Sequence, residues 1–306
     1  MAQAETNLVG DSFKLGYRHQ THWGKTIAIA FFCSEVGAGM FLVSLYYHCP
    51  GGMAMGLILA GILKPYFHLA HMGAPRKSWR AFARFDRSWV SRGALAIVGF
   101  TGFGILSLLD MALGLGLPSI VSTAVKALAV ASALVVIVYQ GMAMSASESL
   151  TLWASPFVPL ASVCYAMTAG VLATLTLASK GGVIDAAQQA DLLKAAIALL
   201  LLDIAAVAGI LLYAKGKSQG GAFSVALLTK GALTGCFRNW VGLLGLAAPL
   251  ALLAAASVFA PAQWILGALA WGAMLIGFFV FRLLILKAAV YEPITHNLAG
   301  SIGLPR

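Results

Sequence analysis

The chain has 306 residues, of which 60% belong to the AVILMFWYC set, 33 are glycine and only 10% are charged, and its mean hydropathy is +0.90. A soluble domain carries about 25% charged residues to keep its surface wetted, so this composition excludes one, and it excludes a disordered chain as well. Cys33, Cys49, Cys164 and Cys236 are scattered with no C-x-x-C pair, which argues against a disulfide scaffold, structural zinc or a cluster held by this chain alone, while 20 Lys and Arg against 10 Asp and Glu leave a net charge of +10 whose placement matters more than its sum.

The first 25 residues are polar, with Lys14, Arg18 and Lys25 and no apolar core leading to a small-residue cleavage site. They are expected to stay on the chain as a cytoplasmic segment, with the first apolar run serving as the insertion signal. A helix needs about 20 apolar residues to cross roughly 30 Å of hydrocarbon. Runs of that length are predicted at 26–47, 52–71, 93–116, 119–144, 154–179, 189–214, 238–259 and 262–287. They are continuous, without the alternation of a transmembrane β-strand. The expectation is therefore an all-α integral membrane protein with an eight-helix domain over 26–287 and a tail over 288–306.

Basic residues set the orientation. Lys14, Arg18, Lys25, Arg76, Lys77, Arg80, Arg84, Arg87, Arg92, Lys215, Lys217, Lys230, Arg238, Arg282, Lys287 and Arg306 all fall on one side, and only Lys180 and Lys194 on the other. The positive-inside rule then puts both termini in the cytoplasm. An even number of crossings agrees.

Ionisable groups inside a span cost about 2.5–3.5 kcal/mol each on insertion scales, so each needs a partner or a purpose. Glu35 in the first span and Lys64 in the second are equidistant from the intervening turn, so a hairpin sets them at one depth. They are read as an ion pair, either a neutralising one or part of a proton path. Asp110 and Lys126 straddle the third turn in the same way, with the structural reading preferred, and Asp203 has no evident partner in sequence.

The second span ends in Lys64, His68 and His71, which recur at i, i+4 and i+7 and so share one helix face. His68 reads either as a helix–helix contact or as a ligand contact, and His71, at the boundary, as a ligand contact. Imidazole donates to carbonyl oxygens and exchanges protons near neutral pH, which suits a quinone head group. From 74 to 92, Trp79, Phe82, Phe85 and Trp89 interleave with Arg76, Arg80, Arg84 and Arg87. This amphipathic segment is predicted to lie in the interface, either anchoring to anionic lipid or docking an acidic soluble partner; nucleic acid is not expected. Bis-histidine haem needs ligands from facing helices. His68 and His71 share one helix, and His19, His22, His48 and His296 lie outside the spans, so neither haem nor another metal is expected.

Three stretches resemble the NrfD-like family of membrane subunits, which includes those of polysulfide reductase and dimethyl sulfoxide reductase. His71 to Ala81 (HMGAPRKSWRA) resembles the family's H-L-G-x-P-x-x-A-W-R-A, Ser88 to Arg92 (SWVSR) its S-W-x-S-R, and Trp153 to Pro159 (WASPFVP) its W-N-S-P-L-x-P. The resemblance is carried by the first half; the second matches in helix count. Ala154 replaces the motif's Asn, Gly93 follows SWVSR where many relatives have Glu, and Met144 stands where relatives often have Tyr, leaving Tyr139 as the nearest tyrosine.

The resemblance implies two four-helix bundles in a bacterial or archaeal cytoplasmic membrane, binding a quinone, menaquinone or ubiquinone. It further implies a ferredoxin-like subunit with [4Fe–4S] clusters and a large, commonly molybdopterin-dependent subunit as partners. Carried over by position, the resemblance points to His71 and, through the His22-Trp23 pair, to His22 as quinone contacts; His68 and Tyr139 are added as candidate contacts from the reading of the spans, with Glu35 and Lys64 as proton path or electrostatic brace. Arg76, Lys77, Arg80, Arg84 and Arg87 are the implied docking face. The rival readings are a secondary transporter, a haem-bearing anchor and a purely structural anchor.

Overall fold

The computed structural model describes residues 17–259 and 262–292. Lys14, His296, Arg306 and the remainder of the predicted terminal segments lie outside the described residues. Eight helices are long and apolar enough to span a membrane: α1 (Lys25–Tyr46), α2 (Pro50–His71), α3 (Trp89–Leu113), α4 (Ser119–Ser145), α5 (Phe157–Lys180), α6 (Ala186–Lys217), α8 (Thr234–Val258) and α9 (Gln263–Lys287). A further helix, α7 (Gln219–Thr229), occupies the connection between α6 and α8, where no helix was predicted. Its start is set by Ser218, whose hydroxyl accepts from the Gly221 amide at 2.9 Å, satisfying one of the donors that a helix N-terminus leaves free.

Local chemistry explains the other ends. Ser88 caps α3 by accepting from Ser91, Asp185 and Gln188 form a reciprocal capping box on α6, and Gly114 ends α3 in the left-handed conformation, φ 61°. Two spans are interrupted by π-helical stretches, Ile58–Leu63 in α2 and Phe237–Ala247 in α8. Each is followed two residues later by a proline, Pro65 and Pro249. Proline lacks the amide for the i−4 bond and crowds that carbonyl, and widening the preceding turn relieves the clash.

α1 and α5 are the central helices: 78% of the apolar stretch of each is buried, against 22–50% in the other six spans. Their crossing is close because Gly39 faces Gly170 and the Ala166 carbonyl, where a β-carbon on either glycine would overlap the opposite backbone. α1 meets α2 in the same manner, a β-carbon on Gly37 falling 2.6 Å from the Gly56 carbonyl. Between lipid-immersed helices the hydrophobic effect offers little, so close backbone packing supplies the attraction. Buried apolar side chains form two clusters, one from α1 to α4 around Phe41, Phe100 and Val136 and one from α5 to α9 around Tyr165, Leu172 and Phe278. α1 contributes to both.

The two described ends meet. β1 (Arg18–His19) pairs antiparallel with β2 (Val290–Tyr291), and the Gln20 amide group bridges the Trp23 and Leu286 carbonyls at 2.8 and 2.9 Å. Glu292 accepts from Thr151 at 2.7 Å and from Ser218, tying the segment after α9 to the start of α7.

Gly39→Leu is expected to lose stability by at least the roughly 1–3 kcal/mol of an overpacked core, seen as a lower thermal midpoint in detergent. Gly102→Ala, where a β-carbon meets nothing within 4 Å, is expected to be neutral or mildly stabilising; equal effects would show that the close crossing is not limiting.

Candidate functional site

Where α2 resumes regular winding at Lys64, its polar face turns toward α3 and α4. Lys64 is buried, and its ammonium lies 5.0 Å from the centroid of the Tyr139 ring on α4, a cation–π contact. Among the described residues it has no carboxylate partner. One turn on, His68 leaves its Nδ1 buried with no hydrogen-bond partner, and the Tyr139 hydroxyl is likewise unsatisfied among the described residues. The residues Lys64, His68 and Tyr139 line a cavity of about 350 Å³.

Apart from Ser78 the remaining lining is apolar and comes from the end of α2, from α3 and from the 3₁₀ helix Pro75–Phe82, including Met72, Phe82, Val90 and Val98. Phe82, Val90 and Val98 are exposed, so the cavity opens on the outer surface of the spans. Such a volume with few polar groups on apolar walls is typical of small-molecule sites. Gly93 makes room for it: a β-carbon there would overlap the Tyr139 ring.

Glu35 does not pair with Lys64. Its two oxygens accept from Arg282 Nη2 at 2.7 Å and Nε at 2.9 Å, and the same Nη2 reaches Ser162 at 2.7 Å. Both charged residues are buried, at 0% and 1% exposure. Equal distance from the hairpin turn sets equal depth, but each residue also rotates the helix by about 100°. Glu35 faces α5 and α9 while Lys64 faces α4. Arg282, counted above among the orienting charges, is instead the partner of Glu35 inside α9.

The other predicted residues fall in two groups. His71 is half-buried on the turn after His68 and does not line the cavity. His22 is exposed, and Trp23 stacks on Trp153 with centroids 5.0 Å apart, away from the cavity. Arg76, Lys77, Arg80, Arg84 and Arg87 are exposed. They follow a 3₁₀ helix and turns where one amphipathic helix was expected, because Pro75 opens the segment and Arg92 folds its end back by donating to the Phe85 and Asp86 carbonyls. Of the other intramembrane acids, Asp110 accepts from Ser122 at 2.6 Å with Lys126 at 3.9 Å, and Asp203 accepts from Thr168 of α5 at 2.6 Å through one oxygen while the other is buried without a partner among the described residues.

Ser34 and Gln140 were not anticipated. Their polar atoms are buried without partners among the described residues, and they lie beside the Tyr139 hydroxyl, so a polar layer separates the cavity from the Glu35–Arg282 pair. Its signal in sequence was the run Ser34-Glu35 on α1 and Tyr139-Gln140 on α4 inside otherwise apolar spans. Among the described residues no group of three or more His, Cys, Asp or Glu is placed to hold a metal ion.

Arg282→Leu is expected to cost about 3–5 kcal/mol by stranding the Glu35 carboxylate. Glu35→Leu combined with Arg282→Leu is expected to recover much of that loss. Thermal unfolding of the singles and the double in detergent checks it, and additive losses would mean the two residues do not act as a pair.

The family described as "Polysulphide reductase, NrfD" matches residues 14–292. No curated protein matches the chain.

Proposed function

The chain belongs to the NrfD family, membrane subunits of respiratory oxidoreductases, and on that premise we propose that it passes electrons between a docked iron–sulfur subunit and a membrane quinone held in the Lys64–His68–Tyr139 cavity. One observation carries the assignment: Lys64, His68 and Tyr139, two of them with unsatisfied buried atoms, line a mostly apolar cavity of α2, α3 and α4 open to the lipid-facing surface. A quinone, menaquinone or ubiquinone, is a flat apolar ring with two carbonyl oxygens and a long apolar tail. Its oxygens need donors, and its tail needs a lateral exit.

Each residue then has a task. Lys64 offers ammonium hydrogens and a positive charge to an oxygen that gains electron density on reduction, a stabilisation that is strong in a water-poor site. His68 presents Nδ1 for proton exchange, and the Tyr139 hydroxyl is a further donor. Quinone takes up two electrons and two protons to become quinol, and the polar layer of Ser34, Tyr139 and Gln140 is the route by which protons approach. Glu35, held at both oxygens by Arg282, braces this layer electrostatically rather than carrying the proton. His71 belongs to the cavity's approach, and the assignment does not depend on His22 or Trp23.

Docking follows from adjacency. The 3₁₀ helix that lines the cavity with Ser78, Ala81 and Phe82 carries Arg76, Lys77 and Arg80 on its exposed side. An acidic ferredoxin-like subunit seated there brings a [4Fe–4S] cluster beside the quinone ring. The large catalytic subunit, molybdopterin-dependent by family analogy, joins behind it. With the positive-inside rule, these partners and both termini are cytoplasmic, in the cytoplasmic membrane of a bacterium or archaeon.

His68→Ala, Lys64→Met and Tyr139→Phe in the intact complex are each expected to lower quinone turnover about tenfold or more, the equivalent of losing a hydrogen bond in a buried site, while the subunits still copurify. Unchanged quinone kinetics in all three would overturn the site. Arg80→Glu with Arg84→Glu is expected to release the iron–sulfur subunit during purification at moderate salt, and undiminished copurification would move the docking face elsewhere.

A further inference from the structure

A second cavity lies where α6 ends and α7 begins. It encloses about 290 Å³ between Leu211, Leu212 and Lys215 of α6 and Ala222, Val225, Ala226, Thr229 and Lys230 around α7. Its walls are aliphatic apart from Thr229, whose hydroxyl donates to the Val225 carbonyl, and the exposed Lys215 and Lys230 stand at the rim. Neither lysine pairs with a carboxylate among the described residues. Two positive charges over an apolar pocket call for a ligand that is anionic at one end and apolar at the other.

The surface above the pocket extends this reading. Leu201, Ala205, Ala208, Leu212 and Lys215 recur at steps of four and three, so they share one face of α6, and all five are exposed. Leu201 and Leu212 are 55% and 71% exposed, which makes the stripe a lipid-facing apolar surface. From Leu201 to Leu212 it rises about 16 Å at 1.5 Å per residue, close to the roughly 15 Å of hydrocarbon in one leaflet. An acyl chain laid along the stripe therefore ends at the level of Lys215, in the head-group layer.

We propose that this pocket is a binding site for an anionic phospholipid, its phosphate held between Lys215 and Lys230 and one acyl chain lying along the Leu201–Leu212 stripe. Basic pockets at helix ends recognise anionic head groups through charge, with fixed apolar walls supplying selectivity for a lipid over a soluble anion. A free phosphate would leave the stripe unused. An acidic protein surface would not enter a pocket lined by Leu211, Leu212 and Val225.

The test uses the purified full chain in detergent, stripped of lipid and then titrated separately with phosphatidylglycerol, phosphatidylcholine and inorganic phosphate, with bound species read by native mass spectrometry. Phosphatidylglycerol is expected to bind and survive detergent washing while phosphatidylcholine and phosphate do not. Lys215→Ala with Lys230→Ala is expected to weaken phosphatidylglycerol binding on the order of tenfold. Lys215→Arg with Lys230→Arg, which keeps the charge and controls for folding, is expected to retain it. Leu212→Asp is expected to lose the lipid although both lysines remain. Equal retention of phosphatidylcholine, displacement of the lipid by phosphate, or unchanged binding in the alanine pair would overturn the site. So would loss of a partner subunit with lipid binding intact, which would make it a protein-docking surface.

Discussion

The Glu35–Arg282 ion pair is the constraint around which the rest of the protein is arranged. In a bilayer core neither charge has water to turn to, and a single unpaired one costs several kcal/mol. Bidentate geometry and the added contact to Ser162 join α1, α9 and α5 at one point. The glycine crossing of α1 on α5 holds those helices close enough for the contact to form. α1 is thereby fixed with one face in each apolar cluster.

That arrangement has a consequence on the other face of α1. With its carboxylate committed to Arg282, Glu35 cannot neutralise Lys64, and Lys64 is left buried against the Tyr139 ring. A buried ammonium with only a π-face as partner is costly unless a ligand or proton chemistry uses it. The unsatisfied His68 and Tyr139 atoms beside it have the same character. The strain of three under-satisfied groups on one cavity wall is where the fold departs from maximal stability, and such departures mark functional sites. The π-helical turns before Pro65 contribute by reorienting α2 just ahead of Lys64.

The spans were legible because about 20 apolar residues between polar breaks admit one reading in a membrane, and all eight are present. The Asp110–Lys126 approach was legible as well, because their separation across a short turn left them little choice. What sequence could not supply was rotation about each helix axis. Counting from a turn gives depth, so Glu35 was matched to Lys64, while the true partner sat 247 positions along the chain and had been read as an orienting charge. Lys64, His68 and Tyr139 were each singled out in the sequence, but only packing shows that Tyr139 closes their cavity, through the room that Gly93 leaves. α7 was hidden by its glycines and short length, since Gly220 and Gly221 read as loop until the capping serine before them is recognised.

In the proposed function electron entry, proton supply and lipid access share one small region: the 3₁₀ helix bearing the basic face also walls the cavity, and the cavity opens between exposed apolar side chains. The most direct measurement is photoaffinity labelling of the intact complex with a photoreactive quinone, followed by mapping of the modified peptides. Labelling is expected within residues 64–98 and around Tyr139, and to be suppressed by excess native quinone. Competable labelling confined to α5–α9, or to the segment around His22 and Trp23, would contradict the assignment.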